Sequence, residues 1–180
     1  MRARRGGRQA MTTTKSKLRS DPIEPATPKP SRRHREDLYG WVQDQVALLK
    51  AGRLSEIDAV NIADELGDVG RTEYDKLQSA IRVVLLHLLK WDHQPERRSR
   101  SWVLSVREHR RRIGRLLRDN PSLQPRISDG IAEAYEDAMD DAVKETGLTE
   151  TAFPATCPYD WRAIVERVIE HDELQSPRRH

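Results

Sequence analysis

The chain has 180 residues, of which 36% are hydrophobic, 5% aromatic and 34% charged. No run of about 18 apolar residues predicts a transmembrane helix, and a single cysteine, Cys157, excludes an internal disulfide scaffold. The formal net charge is only +3, but it is unevenly divided: we count a balance of +9 over residues 1–35 and −6 over the remainder.

Residues 1–35 carry the basic charge and almost no apolar side chains. Four prolines between Pro22 and Pro30 lack amide donors and favour extended backbone. Such a segment buries too little surface to offset its ordering entropy, so we predict a disordered basic tail. The tail either binds nucleic acid non-specifically or is a solubilising leader. Translation could equally start at Met11, which would remove four of the arginines of the tail. The absence of a signal-peptide core favours a cytoplasmic protein.

From Asp37 onward, apolar residues recur with the period of an α-helix and never with that of a strand. We predict an all-α protein: a single compact domain over residues 36–173, followed by a frayed tail at 174–180. The predicted caps are Ser55 for the second helix and Thr72 for the third. The six predicted helices lie near residues 38–49, 57–69, 73–91, 101–118, 125–146 and from 160 onward.

The third predicted helix, at about 73–91, is the most informative. Between Val83 and Leu89 its apolar residues occupy nearly the whole circumference, and only His87 interrupts them. A helix that is apolar on all sides is normally buried. We therefore expect this helix at the centre of the domain.

Charge is segregated between the fourth and fifth predicted helices. Residues 90–118 hold ten basic and three acidic side chains, whereas residues 129–150 hold eight acidic and one basic. If the two stripes face each other, their charges offset. If they do not, the outer face of the fourth helix is a candidate nucleic-acid surface. That face carries Arg107, Arg111, Arg115 and Arg118.

A second basic cluster surrounds the corner between the third and fourth helices. It could bind a small anion or metabolite, because guanidinium groups, hydroxyls and a helix N-terminus are all donors to phosphate or carboxylate. Alternatively, it is structural and pairs with acids of the second predicted helix (Asp64, Glu65, Asp68), the interpretation that we favour. The corner's candidate binding residues are Lys90, Arg97, Arg98, Ser99, Arg100 and Trp102.

Arg82 and His87 are weak catalytic candidates, since Arg-x4-His is the signature of the helical, metal-independent HEPN-type ribonucleases. The four intervening residues are apolar and the two side chains diverge on an ideal helix, so we also weigh a neutral, hydrogen-bonded core histidine. His87, His93 and Glu65 do not have the i, i+4 spacing of a helical metal site. We predict no metal and no cofactor, and a structural role for Cys157.

Several separated motifs, taken together in chain order, resemble the bacterial family known as domain of unknown function 29. They include Asp37 to Trp41, His87 to Trp91, Gln94 to Trp102, Asn120 to Leu123 and Cys157 to Tyr159. The resemblance covers about residues 37–161 and implies a helical bacterial protein without an established activity.

The residues themselves favour a cytoplasmic, non-enzymatic interaction module that binds a protein partner or nucleic acid. The ribonuclease and the anion site are the alternatives.

Overall fold

A computed structural model describes residues 34–171. The predicted tails therefore lie almost wholly outside the described residues. The chain divides into two compact units at the boundary between Ile57 and Asp58. Within the described residues the all-α prediction is confirmed, because five α-helices and short 3-10 turns are present and no strand. The helices are α1 (Leu38–Lys50), α2 (Ala59–His93), α3 (Arg100–Asp119), α4 (Ile127–Thr146) and α5 (Trp161–Glu166).

The described part of the first unit consists of α1 and a short 3-10 turn. The Asp37 carboxylate accepts a hydrogen bond from the amide of Gly40 at 2.9 Å and so caps the start of α1. Gly52 ends the helix with a φ of 70° that favours glycine. Trp41 is 2% exposed, and its ring lies edge-on to His34 with centroids 4.7 Å apart.

The second and third predicted helices are one continuous helix, α2, of 35 residues. Its N-cap is Asp58, whose side chain accepts from the amide of Asn61, so the assignment of this role to Ser55 was wrong. Thr72 is also no cap; it lies inside the helix and donates to the carbonyl of Asp68 at 2.9 Å. Gly70 does not interrupt α2 because an interior glycine costs only about 1 kcal/mol in a helix.

The second half of α2 is the centre of the second unit, as predicted. It packs against α3, α4 and α5. The buried side chains of those three helices form one hydrophobic core with it. Its innermost side chains are fully excluded from solvent: Leu77, Ile81, Val84, Leu85 and Leu88. None of the helices within residues 34–171 has the length and apolarity needed to span a membrane.

The remaining helices begin and end close to the predicted residues. A 3-10 segment, Pro121–Arg126, precedes α4, so this helix begins at Ile127 and not at Pro125. Gly147, with a φ of 72°, caps its C-terminus. Asp160 caps α5 by accepting from the amide of Ala163 at 2.7 Å. This last helix is only six residues long.

Candidate functional site

The outer side of α3 is a continuous row of arginines, which we call the arginine face. The helix contains seven arginines and two acidic residues. Five of the arginines fall on one stripe at 100° per residue and are exposed. The stripe is about 27 Å long at 1.5 Å per residue. Its members are Arg100, Arg107, Arg111, Arg115 and Arg118.

Only one carboxylate pairs with the arginine face among the described residues. Glu108, on α3 itself, lies 2.6 Å from Arg111 and 3.6 Å from Arg115. The hydrogen bond from Arg111 and its charge lower the pKa of Glu108, which therefore remains ionised. A single negative charge against five positive ones leaves the face strongly basic.

The acidic residues of α4 that contact another helix contact α2 and not α3. Arg82 of α2 donates to Asp141 at 2.7 Å, and Lys90 of α2 lies 2.5 Å from Glu145. No described ion pair joins α3 to α4. Of the two alternatives that the sequence leaves open, the structure shows the second: the two stripes do not face each other, because α2 packs against both helices and takes the acidic partners itself.

A shallow open groove follows the arginine face where α3 contains a glycine. The groove is lined by Arg110, Arg111, Gly114, Arg115 and Arg118. A Cβ added at Gly114 would meet only the end of the Arg118 side chain, at 3.5 Å. The missing side chain leaves the α3 backbone accessible between charged groups. An extended anion can therefore approach the helix closely at this point.

Lys90, one of the predicted binding residues, is buried. Its Nζ atom lies 2.5 Å from Glu145 and 4.5 Å from the centre of the Trp102 ring. The side chain is only 9% exposed, and its charge is satisfied by an aromatic face and by a carboxylate that is itself 46% exposed. The structure thus places Lys90 and Trp102 together but directs both inward.

The rest of the predicted corner site does not converge on one point. The Arg98 Nε atom donates to the carbonyl of Trp91 at 2.9 Å, and its guanidinium stacks over the Trp91 ring at 4.9 Å. Ser99 and Ser101 hydrogen-bond to each other at 2.8 Å. Arg97 and Arg100 are exposed. The favoured structural interpretation thus names the wrong partners, because Lys90 and Arg98 bond to Glu145 and Trp91 and not to acids near the start of α2.

His87 and Arg82 point to different neighbours, as their helical spacing requires. Arg82 is held by Asp141 on the α4 side, whereas the His87 ring lies 6.3 Å from that of Trp102 on the α3 side. Burial, and next the charge of Lys90, lower the pKa of His87 to about 4. The ring is therefore neutral at pH 7, as predicted. The expected hydrogen bond is absent, since Nδ1 is buried with no partner among the described residues.

The other candidate ligands and nucleophiles occupy structural positions. His93 packs edge-on against Phe153 at 4.9 Å, which separates it from His87. The thiol of Cys157 donates to the carbonyl of Tyr159 at 3.4 Å, and burial raises its pKa. Within residues 34–171 no group of three or more His, Cys, Asp or Glu side chains is placed to hold a metal ion.

Two polar clusters were not identified from sequence. Arg110 donates to three carbonyls near the end of α5, those of Ala163, Ile164 and Arg167, at 2.6 to 3.1 Å. It is the only α3 arginine that reaches α5 among the described residues, and it caps that short helix. Only its angular offset from the arginine face could have indicated a separate role.

The second cluster is centred on Asp92. Its carboxylate accepts two hydrogen bonds from Arg167, at 2.6 and 2.8 Å, and one from Tyr159 at 2.8 Å. Burial raises the pKa of Asp92, but these hydrogen bonds outweigh that effect and the net shift is downward. The cluster fastens the C-terminal segment to α2. No local pattern indicates a contact between residues about 70 positions apart.

Comparison with known proteins identifies the family. Residues 34–168 match the family model described as Domain of unknown function DUF29, a range that includes all five helices. No curated protein and no solved structure matched the chain. Since the matched range covers most of the chain, the protein belongs to the DUF29 family.

Proposed function

We propose that this protein is a cytoplasmic, non-enzymatic module that binds the phosphate backbone of nucleic acid through its arginine face. The observation that carries this proposal is the division of charge across α2. Two carboxylates of α4, Asp141 and Glu145, are engaged by α2, whereas the exposed arginines of α3 have a single carboxylate partner among the described residues. Unneutralised, exposed guanidinium groups release counterions from nucleic acid when they contact phosphates.

The chemistry of the face favours contacts to phosphates over contacts to bases. Arginines recur every three or four residues from Arg107 to Arg118, so cationic groups follow one another along one side of a rod. Trp102, the one aromatic residue of α3, is half-buried beneath Lys90. The other ring of α3, that of His109, is half-buried and hydrogen-bonded to the carbonyl of Ser105. Neither ring presents an open face for base stacking, and we expect binding that is strongly salt-dependent and weakly sequence-dependent.

Exposed carboxylates on α4 favour one orientation of nucleic acid on the second unit. Glu136 and Asp140 of α4 are exposed and form no ion pair among the described residues. They repel a polyanion, so nucleic acid approaches from the α3 side. The basic residues 1–35 lie outside this argument, and the experiment must separate their contribution.

The test is the salt dependence of nucleic-acid affinity, measured on the full chain. Fluorescence anisotropy with labelled 20-base-pair DNA and RNA duplexes, at several salt concentrations, gives the slope of log affinity against log salt. Each lost phosphate contact reduces that slope by about 0.9 on B-DNA. Replacing Arg107, Arg111, Arg115 and Arg118 by Gln should therefore reduce the slope by about 3 to 4.

Two controls make the test specific. Arg71→Gln and Arg162→Gln remove arginines that are 75% and 84% exposed outside α3, and each should leave the slope unchanged. Replacing Arg2, Arg4, Arg5 and Arg8 by Gln in the full chain measures the contribution of the N-terminal segment. The proposal fails if the fourfold α3 variant binds as tightly as the wild type, or if the wild type shows no salt-dependent binding.

A further inference from the structure

The groove beside Gly114 is lined by four arginines and one glycine. Two of the arginines, Arg111 and Arg115, share the carboxylate of Glu108. The other two have no carboxylate partner among the described residues. The groove therefore holds four positive charges against a single negative one. Its four arginines are Arg110, Arg111, Arg115 and Arg118.

Arg110 gives the groove a guanidinium whose position is fixed. Three of its five N–H groups donate to carbonyls near the end of α5. The remaining two have no partner among the described residues, and the side chain still lines the groove. A guanidinium that is already held in place loses little side-chain entropy when it donates to an anion. Arg110 is thus a preorganised donor beside three exposed ones.

The positive charge of the groove exceeds what one internal phosphate can neutralise. A phosphodiester within a strand carries one negative charge, whereas a terminal phosphate monoester carries roughly two at pH 7 and has three strong acceptor oxygens. Each guanidinium can form two parallel hydrogen bonds to phosphate oxygens. Four guanidiniums around one groove therefore match a terminal phosphate better than an internal one.

The position of the groove on α3 also favours the end of a strand. The other two members of the arginine face, Arg107 and Arg100, lie about 10 and 21 Å from Gly114 toward the start of the helix. In the opposite direction α3 ends at Asp119, which is exposed and directly follows Arg118. A strand that ran past the groove would meet this negative charge. A strand that ended in the groove would keep its remaining phosphates along the arginines.

We propose that the groove beside Gly114 binds the terminal phosphate of a nucleic-acid strand, whose next phosphates lie along the arginine face. This inference rests on the proposed function, because it assumes that the arginine face binds nucleic acid. It adds that the affinity depends on a chemical group at the strand end as well as on salt.

The test compares duplexes that differ only at their ends. A fluorescein-labelled 20-base-pair DNA duplex, bound to the full chain, is displaced by unlabelled duplexes with phosphates at both 5′ ends, at both 3′ ends or at neither. At least one phosphorylated duplex should compete about tenfold better than the unphosphorylated one, because several charged hydrogen bonds are added at one place. Added charge alone has a much smaller effect, since the duplex already carries about 40 backbone charges.

Matched variants separate the groove from the rest of the arginine face. Gly114→Leu fills the groove without changing its charge, and it should remove the preference for the phosphorylated duplex. Its control is Gly67→Leu, at another helical glycine with open space around it, which should keep the preference. Arg107→Gln should weaken the binding of all three duplexes to the same extent, because Arg107 lies on the face but outside the groove. Circular dichroism checks that the leucine variants stay folded.

Three outcomes would overturn the proposal. One is that phosphorylated and unphosphorylated duplexes compete equally, which leaves the proposed function intact if binding remains salt-dependent. Another is that Gly114→Leu keeps the preference. The third is that a nucleoside monophosphate displaces the labelled duplex at the same concentration as the phosphorylated duplex does, since the ligand would then be a free phosphate ester and not a strand end.

Discussion

The two halves of α2 carry one continuous apolar stripe but differ in what covers it. In the second half Leu77, Ile81, Val84 and Leu88 are 0% exposed, enclosed by the neighbouring helices, whereas Leu66 in the first half is 66% exposed. The backbone is helical through both. The comparison teaches that helical periodicity indicates a face able to bury itself, and that only the position of other elements decides whether it does.

The largest effect should come from truncating the same side chain in each half. Leu88→Ala removes a fully buried side chain and should lower the free energy of unfolding by about 3 kcal/mol, from lost apolar transfer and a residual cavity. Leu66→Ala should change it by less than about 0.5 kcal/mol. Urea unfolding followed by circular dichroism measures both, and equal losses would contradict the division of α2 into a covered and an uncovered half.

The next effect concerns the buried lysine of the covered half. Glu145→Gln removes the charge that neutralises Lys90, whose side chain is only 9% exposed. We expect a loss of about 2 kcal/mol in the free energy of unfolding, because the buried ammonium of Lys90 loses its charged hydrogen bond, although Glu145 itself is 46% exposed. Glu136→Gln, at an exposed position of the same helix, should have no measurable effect. If the two variants were equally stable, the Lys90–Glu145 pair would contribute nothing.

A smaller, pH-dependent effect should come from His87. Burial lowers its pKa to about 4, below the ordinary value of about 6.5. Between these values the unfolded chain binds a proton that the folded chain does not, so the stabilisation is complete above about pH 6.5 and declines as the pH falls toward 4.

Between pH 7 and 4.5 we expect the wild type to lose about 1 to 2 kcal/mol more than His87→Leu, which removes the titrating ring. This value is below the full effect of the shift, because the ring retains some contact with solvent. Urea unfolding of both proteins at the two pH values gives the difference. Parallel losses in the two would show that His87 does not titrate differently on folding.

The smallest effect should be a gain in stability, from a substitution in the first half of α2. An alanine Cβ at Gly70 meets nothing within 4 Å, and the residue lies in the interior of α2. Gly70→Ala should therefore stabilise the helix by about 0.5 to 1 kcal/mol. The melting temperature of the variant measures this gain. Gly147→Ala is the opposite case, because Gly147 has a φ of 72° that disfavours alanine, and this variant should melt below the wild type. A Gly70→Ala protein that melts below the wild type would indicate a break in α2 at this point.

Helix boundaries were predicted correctly where the residues that set them act on neighbours in sequence. The starts of α1 and α5 are capped by Asp37 and Asp160, and the ends of α1 and α4 by Gly52 and Gly147. Each acts through contacts with residues a few positions away, and the predicted helices begin or end close to all four. The junction between the second and third predicted helices failed for the opposite reason. Gly70 and Thr72 weaken a helix locally, but the buried residues from Leu77 onward stabilise the helix on which they lie.

The features of the candidate site also separate into those that follow from helical spacing and those that depend on distant residues. The row of arginines from Arg107 to Arg118 follows from helical spacing, and so does the divergence of Arg82 from His87. The partners of Lys90 and Arg98 were predicted wrongly, and Arg110 was not separated from the other arginines, because each depends on residues distant along the chain.

The sequence alone determined that this protein is helical, that its most apolar helix is central, and that positive and negative charge lie on different helices. These properties depend on periodicity, propensity and composition, which act over a few residues. Only the tertiary structure decided that α2 lies between α3 and α4, which leaves the arginines without the acids of α4 and half of α2 without a cover. The physical reason is that charge pairing and burial depend on distances in space between segments far apart in the chain, and no local pattern encodes those distances.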